Sequence, residues 1–363
     1  MSGRNAEIDF YRLMMTFFVI MVHSRNIGIP DLSSYPFAPG YLAVEFFFLL
    51  SGYYAVKKAE NAGGEGYKNV LSWTWKKFKG IYLYTIPVGI VHLILFALKE
   101  NADGSLVVNF LKYGIYEIFL LRMEGFGWSQ YYCLGPLWYL SALLVTLPLF
   151  YALMIRGKDF FLHVICPLSC IMIYGFFAHV NGNISQAHNW LGLCKDGVLR
   201  AWAGLCLGGV AYLIAKGLRG MRPLTRFGKW VITTAQVLLV AVVIYHMRAT
   251  GRTRMDFLYI ACILLFTSIA LSERTLIHRL FPAFFSRISE FSLALYVTHW
   301  TVLYVFVLAY MENFSWKKQV AAFFILSILY AMLWWLIISL VKRLNIAERL
   351  KKIIFAPNEK TAE

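Results

Sequence analysis

Ten stretches of this chain are apolar over nearly the length that a bilayer demands. They fall at 10–29, 41–56, 80–98, 137–155, 160–179, 196–215, 230–247, 256–272, 290–310 and 319–341. A hydrocarbon core about 30 Å thick is crossed by roughly 20 helical residues. Inside lipid each segment must satisfy its own backbone polar groups, which a helix does without neighbours. Composition agrees, with 60% hydrophobic and 15% charged residues, against about 45–50% and about 25% in soluble domains. The expected fold is all-α: a polytopic membrane protein of ten transmembrane helices. The stretch 113–122 is too short and too charged to span, with Glu117 and Arg122 beside it, and reads as a short re-entrant or interfacial helix. One membrane domain is expected over 1–345, followed by a basic and then polar tail at 346–363.

The charge between these runs orients them. The net charge is +16, which by itself would suit a nucleic-acid binder. The basic residues, however, collect on alternate loops, as orientation signals do. With the N-terminus inside, the inner segments hold 23 Lys and Arg and the outer ones 10, while Arg12 and Arg200 lie within spans and complete the 35. Both termini are therefore expected in the cytoplasm, the lipid bilayer is the partner and nucleic acid is not. Arg248, Arg252 and Arg254 run against the pattern, and mark either a misplaced span or an external feature with a task. Six cysteines form no CxxC pair and no Cys/His ligand spacing, so neither a disulfide framework nor a metal site is expected.

Charged groups inside spans face polar cavities where they do work. Arg12 and His23 are eleven residues apart in the first span. At about 100° per residue they return to within roughly 20° of one azimuth, and are separated by roughly 16 Å along the axis. Glu45 opens the second span near the outer face, and Arg200, Asp256 and Trp138 fall at similar depth. A carboxylate beside a histidine orients the ring and raises its basicity, so Glu45 is expected to prepare His23 as a general base. Arg200 suits either an oxyanion that develops during reaction or an ion pair with Asp196 one turn away. Ser51-Gly52 reads as a close helix contact through small residues. On the inner side Lys57, Lys58, Lys76, Lys77 and Lys79 make a basic collar suited to a phosphate-bearing donor.

With these residues the chain resembles the acyltransferase 3 family of membrane acyltransferases. The likeness rests on the Arg-x10-His pattern (Arg12, His23) and the acidic-Phe-Phe-x-x-x-Ser-Gly stretch (Glu45, Phe46, Phe47, Ser51, Gly52). It continues in Lys79, Ile81, Tyr82 and Tyr84, in Leu137-Trp138-Tyr139-Leu140-Ser141, in Leu199-Arg200 with Gly208, and in Ser292 to His299. The resemblance implies acyl transfer, usually acetyl, from cytoplasmic acetyl-CoA to a hydroxyl of an extracytoplasmic glycan or lipid-linked acceptor, in a bacterial cytoplasmic membrane. It implies His23 as the catalytic histidine and Arg12 as its partner, with Glu45 and Arg200 beside them. Lys76, Lys77, Lys79, Tyr82, Tyr84 and Arg12 are the expected donor contacts. Trp138, Asp256 and His299 are the expected acceptor contacts. No tightly bound cofactor is expected. Where family members usually carry arginines and a proline, this chain has Lys76-Lys77-Phe78-Lys79, and lysine lacks arginine's bidentate fork for phosphate. No fused hydrolase-like extracellular domain is expected, so a relay to one is expected to involve a separate extracytoplasmic transferase. The rival reading is a small-molecule carrier resembling the span region of membrane-bound serine racemases.

Overall fold

The computed structural model describes residues 5–60, 68–99, 104–126, 134–279 and 285–344. The expected tail at 346–363 lies outside them. The described residues are helical apart from turns and one isolated bridge between Trp190 and Lys195. The long helices, numbered in chain order, are α1 (Ala6–His23), α2 (Ala43–Glu60), α3 (Lys68–Lys99), α4 (Trp138–Arg156), α5 (Cys166–Val180), α6 (Asp196–Gly220), α7 (Arg226–Met247), α8 (Asp256–Ser272), α9 (Phe285–Thr301) and α10 (Trp316–Arg343). Each coincides with one of the ten apolar runs. Seven helical stretches are long and apolar enough to cross a bilayer: Asn69–Lys99, Gly135–Arg156, Lys158–Val180, Asp196–Gly220, Arg226–Met247, Glu290–Tyr310 and Trp316–Arg343. This is a multi-pass membrane protein.

The three remaining helices differ for physical reasons. α8 has only 17 residues. α1 carries Glu7, Asp9 and Arg12, and α2 carries Glu45, Lys57, Lys58 and Glu60. Neither of these two needs a lipophilic surface, because both are packed inside the bundle. Ile8, Met15, Val19 and Ile20 of α1 and Phe46, Phe48, Leu49 and Val56 of α2 are buried. The apolar surface that faces outward belongs to α5, α7 and α10, with Ile171, Met172, Leu238, Ile325, Leu329 and Leu336 all exposed. Such faces suit hydrocarbon and would be a liability in water.

Two helix pairs organise the interior. α2 crosses α6 at glycines. A Cβ on Gly52 would stand 2.1 Å from the Leu205 carbonyl oxygen, and one on Gly208 would stand 2.2 Å from that of Leu49. The expected small-residue contact at Gly52 is therefore real, and Gly204 and Gly208 on α6 complete it. At the far end of the same pair Glu60 accepts from the Tyr212 hydroxyl, from Lys216 at 2.8 Å and from Lys158 at 3.2 Å. The second pair is α1 and α9. Thr16 hydrogen-bonds Ser292 at 2.7 Å, and His23 faces His299 seven residues further along both helices. An offset of 276 residues at both contacts means that α1 and α9 run in the same direction.

Residues 104–118 are helical, in a run with a wide π-type turn at Phe110–Gly114, and the chain then bends at Leu120 with φ +60°. Glu117 and Arg122 do not merely flank this segment. They pair at 2.6 Å, and Glu117 also accepts from the Leu134 N–H at 2.6 Å. Burial makes that pairing necessary, since Glu117 is almost fully enclosed.

Gly52→Val is expected to destabilise the protein by more than about 3 kcal/mol, because backbone rather than a side-chain tip occupies the space. Gly217→Ala, with open space around it, is the neutral control; thermal unfolding in detergent followed by size exclusion compares them. Glu60 is held down to about 2, first by the Lys216 hydrogen bond and then by that of Tyr212. Its contribution is therefore present above about pH 4.5 and lost as pH falls toward 2. The stability gap between the native protein and Glu60→Gln should be open at pH 7 and close across that window.

Candidate active site

α1 carries both ends of the site. Asn5 caps it by accepting from the Ile8 N–H at 3.1 Å, and the helix then runs unbroken to His23, which keeps Arg12 and His23 on one face. Asp9 holds Arg12 at 2.7 Å, and the Tyr54 ring lies 5.5 Å below the guanidinium. Arg12 thereby lines a cavity of about 450 Å3 with Phe47, Leu50, Ser51, Tyr54, Trp73, Lys76, Lys77 and Tyr139. Three cations border a space whose other walls are aromatic and aliphatic. Such a lining suits a ligand with an anionic head and an apolar arm.

At the other end His23 is turned toward α9. Its ring centroid lies 5.3 Å from that of His299 and 4.9 Å from Trp300, the latter edge-on. His299 is fully buried, and its Nδ1 donates to the Tyr296 carbonyl at 2.7 Å. That bond places a proton on Nδ1, while Nε2 has no hydrogen-bond partner among the described residues. Ring contacts join the two ends. Tyr139, on the cavity wall, lies 5.9 Å from Tyr296, which lies 6.0 Å from His299. The Tyr296 hydroxyl is tied to the Pro136 carbonyl.

A family model described as an acyltransferase domain, Acyl_transf_3, matches residues 5–340. The protein belongs to the acyltransferase 3 family. No curated protein and no solved structure matches. The matched range takes in both ends of the candidate site, from Arg12 and His23 through His299.

Glu45 does not orient His23 in this acyltransferase. One carboxylate oxygen accepts from Arg200 Nε at 2.6 Å, and the other accepts from the Tyr174 hydroxyl at 2.7 Å. Both Glu45 and Arg200 are fully buried. A carboxylate enclosed this completely takes the strongest donor within reach, and that is the guanidinium. Arg200 likewise does not pair with Asp196. Its remaining donors reach the carbonyls of Tyr41 at 3.0 Å and Gln186 at 3.4 Å, and Trp138 lies 5.2 Å away against its plane. Asp256, expected as an acceptor contact, is consumed by structure. It accepts from Tyr41 at 2.6 Å and from the Ile184 N–H at 3.3 Å, and lies 3.2 Å from His246.

The donor contacts divide as well. Lys76 and Lys77 border the cavity, whereas Lys79, Tyr82 and Tyr84 do not. α3 begins at Lys68, twelve residues before the expected span, so helical phase governs this whole stretch. Lys79 and Tyr82 then fall on other faces, with the Tyr82 hydroxyl donating to the Phe119 carbonyl at 3.1 Å. Tyr84, two turns above Lys77, is buried in the core. Tyr54, Tyr174 and Trp300 join the site without a sequence signal. Trp73 had one, since it stands four residues before Lys77 and their cation–ring distance is 5.8 Å.

Removing either member of the Glu45–Arg200 pair leaves a buried charge and should cost about 3–5 kcal/mol. Glu45→Met combined with Arg200→Met should recover much of that loss. Thermal unfolding of the two single variants and the double variant tests this: additive losses would show that the two side chains do not act as a pair.

Proposed function

We propose that this acyltransferase moves an acyl group, acetyl by preference, from acyl-CoA to a hydroxyl on an extracytoplasmic glycan or glycolipid. The donor enters at the Arg12 end, from the cytoplasm, and the acceptor meets it at the His23 end. This orientation follows the loop charges, which put Lys76 and Lys77 inside. The observation that carries the reading is that a single helix, α1, contributes both the cation lining the cavity and the imidazole at the far end. The rings of Tyr139, Tyr296 and His299 bridge the distance between them.

The chemistry uses groups already in position. Arg12, Lys76 and Lys77 hold the donor's phosphates, and the pantetheine arm lies along Phe47, Leu50 and Tyr139. His23 takes the proton of the acceptor hydroxyl as its oxygen attacks the thioester carbonyl. The C–S bond breaks, the ester forms, and the imidazolium returns the proton to the departing CoA thiolate. His299, locked in one tautomer beside His23, holds the ring in place and keeps an acceptor nitrogen in the site. Glu45 and Arg200 act one layer away, as positioning residues. They fix α2 against α6 and hold the Trp138 plane.

Purified protein in nanodiscs with radiolabelled acetyl-CoA and bacterial surface glycan provides the test. His23→Ala should lower transfer at least 100-fold while the protein remains monodisperse; wild-type transfer by that variant would overturn the reading. Tyr139→Ala should widen the wall between the cavity and Tyr296. The ratio of butyryl-CoA to acetyl-CoA turnover is expected to rise several-fold, as measured by CoA release.

A further inference from the structure

Three connectors meet over the end of the bundle where His23 lies: residues 24–42, 181–195 and 248–255. They are stitched to one another. Asp256 accepts from Tyr41 of the first connector and from the Ile184 N–H of the second, and it begins the helix that follows the third. The Ala38 N–H donates to the Ala249 carbonyl at 3.0 Å, which ties the first connector to the third. Arg25 holds the first in shape by donating to the carbonyls of Leu32, Tyr35 and Pro36. The platform so formed carries five cations, Arg25, Lys195, Arg248, Arg252 and Arg254, against one exposed carboxylate, Asp31.

Arg248, Arg252 and Arg254 lie on the third connector, which joins α7 to α8 at the His23 end. They are exposed, and no carboxylate among the described residues pairs with them. Arg252 lies 5.8 Å over the Tyr41 ring and close enough to Arg25 for the two to repel each other. The Arg254 side chain packs beside Gly182, where a Cβ would lie 3.7 Å from its Nε. Arg252 therefore lies over the buried Tyr41 of the first connector, and Arg254 lies against the second connector at Gly182. Five cations gathered on a braced platform against the single exposed carboxylate of Asp31 build a net positive field that draws in an anion.

We infer that this arginine platform binds an acceptor glycan that carries carboxylate or phosphate groups along its chain. The inference rests on reading the His23 end as the acceptor side, and it deepens that reading by giving the acceptor a charge. Guanidinium groups match carboxylate and phosphate by paired hydrogen bonds, and one stacked on a tyrosine holds its edges free for such a ligand. Because Arg252 and Arg254 touch the connectors and not the reacting groups, they govern acceptor binding and leave donor chemistry alone.

The full-length protein in phosphatidylcholine nanodiscs, titrated with three probes of equal length, provides the experiment. The probes are hyaluronan oligosaccharide, poly(glycerol phosphate) and neutral chitin oligosaccharide. Either or both anionic probes should bind at least tenfold more tightly than the neutral one, and the preference should fall as salt rises. Arg252→Ala with Arg254→Ala should lose at least tenfold of that binding, while Arg252→Lys with Arg254→Lys keeps most of it. Equal binding of all three probes, or an unchanged Ala double variant, would overturn the inference. So would complete displacement of bound anionic probe by phosphatidylglycerol vesicles with no glycan preference remaining, since the site would then serve lipid headgroups. Acetyl-CoA breakdown, read in the same samples, separates this from the proposed reaction. Intact breakdown without anionic binding sinks only the platform, and anionic binding without breakdown sinks only the reaction.

Discussion

A fully buried ion pair, Glu45 with Arg200, is the constraint around which the interior is arranged. Two charges taken out of water are tolerable only when every donor and acceptor finds a partner. Here they do so through four separate parts of the chain. Tyr174 comes from α5, and the carbonyls of Tyr41 and Gln186 come from two connectors, with Trp138 of α4 covering the guanidinium. The glycine crossing of α2 and α6 brings the two helices close enough for the pair to form. α6 packs against α2, α4, α5 and α8 around this pair.

Around this centre the protein divides polar from apolar work by helix. α5, α7 and α10 present hydrocarbon to the surroundings, and so free α1 and α2 to carry charge inside. α1 uses that freedom twice, once at each end. Its parallel partner α9 repeats the arrangement, with Ser292 beside Thr16 and His299 beside His23. The same pairing that packs the two helices therefore sets two imidazoles side by side. Fold and candidate site are in this sense one set of contacts.

What could be read from residues alone depended on whether the signal was local. Apolar length placed all ten long helices, because a span must satisfy its own backbone. The common face of Arg12 and His23 was legible because helical phase is a property of sequence spacing. The partners of Glu45, Arg200 and Asp256 were not, since the shortest contacts of each run across 155 residues, between Glu45 and Arg200, and across 215, between Tyr41 and Asp256. Lys79 and Tyr82 illustrate a different failure. α3 begins at Lys68, before its apolar core, so Lys76 to Lys79 lie on a helix and not in a loop, and helical spacing puts Lys79 and Tyr82 off the face that Lys76 and Lys77 turn to the cavity.

Sequence by itself determined the class of molecule: a helical membrane protein of the acyltransferase 3 kind, with an arginine and a histidine spaced along one helix face. Hydrophobic length and helical period suffice for the helices and the shared face, as neither depends on neighbours, and the family follows from the motifs and the match over residues 5–340. Only the tertiary structure decided which carboxylate serves which cation. Burial makes an ionised group choose its strongest reachable donor, and reach is a matter of how helices cross. For that reason the carboxylate expected beside His23 belongs to Arg200, and the ring that stands there is His299.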